Sequence, residues 1–269
     1  MKFTKYHGTG NDFILLHEKD LEKRDEKETA KALCHRNYGI GADGMIIVKE
    51  SHVADLRMVY YNQDGSIAPM CGNGLRCFAR FAHEHQMVNK ERFMVETLAG
   101  ILPVDVSEGY EKIRIGLMKP QFHLRSPYVR TEVLDGEIIT LDVNGRKYDM
   151  HVLFLGTLHG IVFTKDEVPH EDAHDLCHHD FFPQHINVNF TQVESRDVMK
   201  VRTFERGVGY TLACGTGVAS AQVIAHKNGF TKPDAEVHVD GGVLKVFVEE
   251  NVYLEGPAVL IAKGEMEIG

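Results

Sequence analysis

The sequence predicts an α+β protein of two pseudo-symmetric domains. Each is a multi-stranded, mostly antiparallel sheet wrapped around a central helix, with the active site in the cleft between them. Three observations lead there. Strand-like runs are many and short, while helix-like runs are few. Two stretches, MCGNG at 70–74 and ACGTG at 213–217, each set a cysteine before a glycine-rich step and a helix-like run. The flanks of these stretches match one another in the same order along the chain.

The strand-like runs include DFILL, GMIIV, LRMVYYN, RFMVETLAG, KIRIGL, HVLFLG, GIVFT, HINVNF, VMKVRTFE, AEVHVD, VLKVFVEE and VYLEGP, with turns rich in Gly, Asn and Asp. Helices are expected at roughly 26–36, 73–87 and 216–228. HGTGNDFIL at 7–15 pairs with LGTLHGIVF at 155–163, an offset of 148. YYNQDGSIAPMCGNG at 60–74 pairs with TFERGVGYTLACGTG at 203–217 at 143, and LAGILPVDV at 98–106 with DGGVLKVFV at 240–248 at 142. Three matches in one order at nearly one offset indicate duplicated halves. The expected domains are 1–118, carrying Cys71, and 119–261, carrying Cys214, with 262–269 packing back on the first. The helix VASAQVIA is apolar nearly all round and suits burial, whereas LRCFARFA must bring Arg76 and Arg80 to solvent or a partner.

Composition narrows the function. The 269 residues carry a net charge of −9, and no Lys/Arg stripe suggests a nucleic-acid partner. No run approaches about 18 consecutive apolar residues, so no membrane span is expected. The N-terminus MKFTKYHGTGNDF lacks an apolar signal core, and a cytoplasmic protein is expected. The five cysteines read as free thiols, and none has the CxxC spacing of structural zinc. GIGADG at 39–44 fits a dinucleotide fingerprint, but a helix precedes it and a strand follows, the reverse of what that motif needs. NFT at 189–191 is a sequon without a secretion signal. His170, His174 and His178 have helical spacing and read as a solvated surface helix. Neither a metal nor a cofactor is expected.

A helix start leaves backbone N–H groups unpaired, favours an anion and lowers the pKa of a thiol placed there. Glycines at 72, 74, 215 and 217 would let a ligand approach the backbone closely. Most free cysteines are packing residues, and Cys34, Cys77 and Cys177 read so. Cys71 and Cys214 differ in their paired context. Two such thiols facing a small carboxylate would supply one base to each face of the adjacent carbon, which is inversion of a stereocentre without a cofactor.

HGTGNDF, RNYGIGADG, YYNQDGSIAPMCGNGLRCFARF, ETLAGIL, INVNF, RTFERGVGYTLACGTGVASA and YLEGPA together resemble the signatures of the diaminopimelate epimerases, over nearly the whole chain. The resemblance implies a cofactor-independent epimerase that interconverts LL- and meso-diaminopimelate for lysine and peptidoglycan synthesis. It implies Cys71 and Cys214 as the bases, and N–H groups around Gly72, Asn73, Gly215 and Thr216 on the reacting carboxylate. Asn11, Asn62, Asn187 and Arg206 match substrate-binding positions, Arg206 as a bidentate clamp on a second carboxylate. His159 and Glu205 match polar residues that orient or tune the thiols.

Two positions depart from the family pattern. Gly156-Thr157-Leu158-His159 stands where the pattern is Gly-Asn-Pro-His, which puts the substrate contact of the Asn in question at Thr157. Gly44 stands where some members carry Gln. The first departure motivates a rival reading, a racemase of another amino acid such as histidine on the same scaffold. A small amino-acid substrate is expected in either case, and a homodimer is one assembly compatible with the sequence.

Overall fold

The computed structural model describes residues 1–267. The chain divides into two units: Met1–Gly116 with the chain from Glu255 onward, and Leu117–Leu254. The return to the first unit thus begins at Glu255, ahead of the expected 262.

In the first unit, β1 (Lys2–Gly8) and β2 (Asn11–His17) form a hairpin, and α1 (Glu26–Cys34) crosses over to β3 (Gly44–Lys49), which lies parallel to β2. β4 (Leu56–Asn62) runs antiparallel to β3 and pairs with the short β5 (Ile67–Ala68). α2 (Gly72–Glu84) then crosses to β6 (Arg92–Thr97), parallel to β4. β7 (Gly100–Asp105) and β8 (Ile113–Gly116) follow as antiparallel neighbours. Parallel neighbours need a long crossover, and each parallel join here is made by a helix.

The second unit repeats this order. β9 (Ile138–Val143), β10 (Arg146–Phe154) and β11 (Leu158–Phe163) are antiparallel, and α3 (His170–Cys177) crosses to β12 (Asn187–Val193), parallel to β11. β13 (Val198–Glu205) and β14 (Gly209–Thr211) are antiparallel additions, and α4 (Gly215–Lys227) crosses to β15 (Asp234–Val239), parallel to β13. β16 (Gly242–Val248) pairs antiparallel with β15, and β17 (Val252–Gly256) follows. The last strand, β18 (Val259–Glu265), pairs antiparallel with β1, as β9 pairs with β10. That equivalence explains the chain's return: the first unit takes its outer strand from the C-terminal end.

β3 and β12 are buried along nearly their whole length, because helices cover both of their faces. Met45 and Ile47 of β3 face α1, with Ile14, Leu16, Ala30 and Leu33. Ile46 faces the other way, under Gly74 of α2. On β12, Val188 and Phe190 pack with Ala173, Leu176 and Cys177 of α3, and Asn189 lies under Gly217 of α4. Leu75 and Phe78 of α2 are fully buried, and each such side chain contributes roughly 1.5–3 kcal/mol. α4 is buried almost all round, as its composition predicts.

Two details differ from the sequence expectation. α3 has a buried face, and its Asp172, fully buried, binds Arg146, Tyr148 and Asn144. Its histidines take the other side, where His174 stacks on His178 at 4.3 Å between ring centres; among the described residues no group of three or more His, Cys, Asp or Glu is set to hold a metal. Secondly, Gly74 and Gly217 point at the sheet rather than toward a ligand. A β-carbon on Gly217 would lie 2.2 Å from Asn189 Oδ1, and one on Gly74 2.9 Å from Ile46 Cδ1.

Gly217→Ala is therefore expected to cost about 1–3 kcal/mol or more in urea unfolding, as overpacking does. Gly207→Ala, whose added carbon meets nothing within 4 Å, is expected to change stability by no more than about 0.5 kcal/mol. Equal effects of the two would contradict the packing role.

Candidate active site

Both cysteines are helix N-caps. Cys71 precedes α2 in an extended conformation, and its carbonyl accepts from Leu75 N–H at 2.8 Å; Cys214 precedes α4, and its carbonyl accepts from Val218 N–H at 2.9 Å. The next three N–H groups of each helix, at 72–74 and 215–217, have no carbonyl four residues back to accept them. Neither cysteine side chain caps its helix, and neither first turn holds an acidic residue. Each end thus turns helix-start N–H groups and a positive dipole toward an anion.

Around Cys71, the amide of Asn11 is oriented by Asp43, whose Oδ2 accepts from Asn11 Nδ2 at 2.6 Å. Asn11 Oδ1 is thereby turned toward the Cys71 thiol at 3.6 Å and also accepts from Asn73 Nδ2 at 3.5 Å. Asp43 is itself bound by Arg36, which also binds Asp12. Asn73 is buried; its Oδ1 accepts from Thr9 Oγ1 and from Arg76 Nη2, so its side chain serves the interior. Asn62 stands opposite Gly44 across the β3–β4 pair, and its side chain donates to Ser66 Oγ at 3.0 Å. Gly44 is set by packing: a β-carbon there would meet the Tyr60 ring at 2.5 Å and the Tyr61 carbonyl at 2.6 Å.

Around Cys214 the partners are different. The parallel pairing of β11 and β12 sets His159 beside Asn187. Asn189 Nδ2 donates to the Gly160 carbonyl at 3.0 Å, which fixes the amide, and so donates also to His159 Nδ1 at 3.2 Å. Thr203 Oγ1 donates to Asn189 Oδ1 at 2.9 Å. With Nδ1 an acceptor, the His159 proton sits on Nε2 and is donated to Thr216 Oγ1 at 3.0 Å. Thr216 Oγ1 lies 3.7 Å from the Cys214 sulfur. The Cys214 thiol shares a hydrogen bond with Glu205, whose carboxyl is raised by burial and also accepts from Thr211 Oγ1 at 2.7 Å.

Asn187 Oδ1 accepts from the Arg206 backbone N–H at 3.1 Å, and Arg206 Nη1 donates to the Gln184 carbonyl. The Arg206 guanidinium is exposed and has room to meet a carboxylate. Thr157 lies in the turn between β10 and β11, where its carbonyl accepts from Leu155 N–H. Leu158 joins the apolar cluster against α3, so that departure from the family pattern is a core residue. Sequence reasoning missed Asp43, Asn189, Thr203 and the inward role of Arg76. The signal for Asn189 was present in INVNF, where Asn alternates with apolar residues in a strand buried on both sides.

Solved structures place this fold. A hydroxyproline epimerase from Agrobacterium vitis with bound trans-4-hydroxy-L-proline matches at a TM-score of 0.70 and 12% identity, over 98% of this chain and 91% of that one. A phenazine biosynthesis protein of Bacillus anthracis matches at 0.66 and 18%, over 100% and 99%. The duplicated fold is thus shared with that epimerase and that phenazine biosynthesis protein. The sequence model of the family described as diaminopimelate epimerase matches residues 3–122 and 156–261. Diaminopimelate epimerase of Alkaliphilus metalliredigens is 43% identical over 274 residues, 98% of this chain and 96% of that one; that of Clostridium perfringens is 39% identical over 268 residues, 98% of each. The chain belongs to the diaminopimelate epimerase family.

Burial lowers His159 from 6.5 to about 3, and the Arg206 charge acts in the same direction. Below pH 6.5 the unfolded chain binds a proton that the folded chain refuses, so this residue erodes stability as pH falls from 6.5 toward 3 and has no such effect above 6.5. The His159 ring resonances are expected to stay unshifted between about pH 7.5 and 5 in NMR titration. His159→Gln is expected to lose stability less steeply below pH 6.5, by up to about 1.4 kcal/mol per pH unit. A ring that titrates near 6.5 in the folded protein contradicts this.

Proposed function

We propose that this protein is an isomerase that interconverts LL- and meso-diaminopimelate, with Cys71 and Cys214 as its two bases and no cofactor in the reaction. The observation that carries the reading is the pair of cysteine N-caps at corresponding places in two copies of one fold. Its substrate comes from relatives named for that activity along the whole chain. In each direction one cysteine, as thiolate, takes the α-proton. The electron pair left behind delocalises into the carboxylate, and the carbon becomes planar. The other cysteine, as thiol, gives its proton to the opposite face. One proton is taken and one returned, and the two sulfurs exchange protonation states.

The N–H groups of the two helix starts suit a carboxylate whose charge grows as the proton leaves. Arg206, anchored through its backbone by Asn187, suits the distal carboxylate as a bidentate partner. Support for the rival histidine racemase weakens, since Leu158 answers to the core and the relatives bear another substrate's name. The same reading includes the cytoplasm, where thiols stay reduced, and a homodimer, which sedimentation velocity measures. No helix among the described residues is long and apolar enough to cross a membrane.

Incubation with LL-diaminopimelate in D2O is expected to yield meso product carrying deuterium at the inverted carbon. Absence of both product and exchange from reduced enzyme would overturn the substrate assignment. Cys71→Ala and Cys214→Ala are each expected to lower kcat by at least about a thousandfold with little change in thermal unfolding, the scale of losing an essential proton-transfer group. Substantial inversion by either variant contradicts the two-base mechanism.

A further inference from the structure

The two cysteine helices differ in one residue that the duplication does not explain. Five residues after Cys71 stands Arg76; five after Cys214 stands Ala219. Arg76 is fully buried. Its Nε donates to the Pro257 carbonyl at 3.1 Å, Nη1 to the Gly72 carbonyl at 3.5 Å, and Nη2 to Asn73 Oδ1 at 2.9 Å and Thr9 Oγ1 at 3.2 Å. Every acceptor is neutral, and among the described residues no carboxylate pairs with it. A β-carbon on Gly8 would lie 3.0 Å from Nη2, so the guanidinium occupies space that β1 leaves open for it. A buried cation is ordinarily paired, because desolvation is costly.

The other charged groups around α2 do not answer this charge. On the strands packed against the helix, Asp12 is bound by Lys5 and Arg36, and Lys49 binds Glu18 and Glu26. His7 Nδ1 accepts from Gly10 N–H, and Arg114 of β8 has partners of its own. At the far end of the helix, Glu84 is bound by Arg80, Tyr6 and Lys263. Two thiols remain. Cys77 is pushed up to about 12, chiefly by its own burial, and stays protonated. Cys71 is half-buried at the open end.

We propose that Arg76 is a positioning residue for Cys71: its buried, carboxylate-free guanidinium holds Cys71 as the thiolate in the resting enzyme, while Cys214 rests as the thiol. This rests on the two-base reading above. Burial lowers Arg76 to about 10, so it remains charged at neutral pH, and the charges of Cys77 and Cys71 act the other way. The amide oxygen of Asn11 opposes a thiolate at Cys71, but it is a neutral dipole at 3.6 Å set against a full charge. At Cys214 the arrangement differs: the Glu205 carboxyl accepts the thiol proton and is itself acted on by the Arg206 charge, while Ala219 stands at the position that Arg76 holds in the first helix. The resting enzyme is therefore asymmetric. It is ready to act first on the diastereomer whose α-proton meets Cys71.

The test follows iodoacetamide alkylation of each cysteine against pH, read by peptide mapping without substrate. In the wild type, Cys71 is expected to react with a midpoint at least about one unit below the ordinary thiol value of about 8.5, and Cys214 at or above it. Arg76→Met is expected to raise the Cys71 midpoint by about one unit or more and leave that of Cys214 in place, and Arg76→Lys to restore most of the shift. A wild-type Cys71 midpoint at or above 8.5 overturns the proposal even if Arg76→Met does not fold. An unchanged midpoint in folded Arg76→Met does the same. Failure of the two-base reading shows separately, as inversion that persists in Cys71→Ser.

Discussion

The closeness of each cysteine helix to its sheet is the constraint on which the site depends. Gly74 and Gly217 bring the first turns of α2 and α4 onto β3 and β12, where a single added carbon would collide with Ile46 or Asn189. That contact fixes where the helix starts, hence where its first N–H groups point and where the preceding cysteine lies. Protein interiors are close-packed and bistable rather than compliant, so such a contact sets geometry to within tenths of an ångström. The same glycines that look suited to a ligand are thus used by the fold, and the ligand-facing donors are the N–H groups beside them.

The parallel joins give the site its second set of parts. A strand covered by helices on both faces has an apolar face and a face that can be polar only if every group is satisfied. On β12 the polar face is Asn187, Asn189 and Thr191, all buried. Asn189 spends its amide on Gly160, His159 and Thr203, and that settles which nitrogen of His159 carries the proton. A neutral, oriented imidazole then donates to Thr216 at the base of Cys214. In the first unit the thiol instead meets an amide, that of Asn11, which Asp43 orients. That unit keeps an arginine in the corresponding helix, and the duplicated scaffold serves its two thiols by different electrostatics.

Stereo-inversion makes sense of that difference. On the proposed two-base reaction the two sulfurs hold opposite protonation states at the start of each turnover, so a scaffold with identical surroundings for both would leave the resting state undecided. A guanidinium on one side and a buried carboxyl on the other favour one assignment. In that proposed reaction each turnover inverts the assignment, and the thiols re-equilibrate before the same direction is run again.

Much of this was legible in the sequence. The duplication appears as three matches in register, the cysteine helices as a cysteine followed by glycines and an apolar run, and α4 as a run apolar nearly all round. These features are local, or repeat a local pattern, and chain chemistry alone determines them. Tertiary structure decided what depends on residues far apart in sequence. Arg76 carries a charge that reads as solvent-seeking, yet it finds Thr9, Asn73 and the Pro257 carbonyl and is buried. Asp43 orients Asn11 across 32 positions, and Asn189 sets the tautomer of a histidine 30 residues earlier. The C-terminal strand joins β1 because that edge needs a partner, which no pattern within residues 259–265 reveals. Hydrogen-bond satisfaction of buried polar groups is a property of the packed interior, and it only exists once the strands and helices have met.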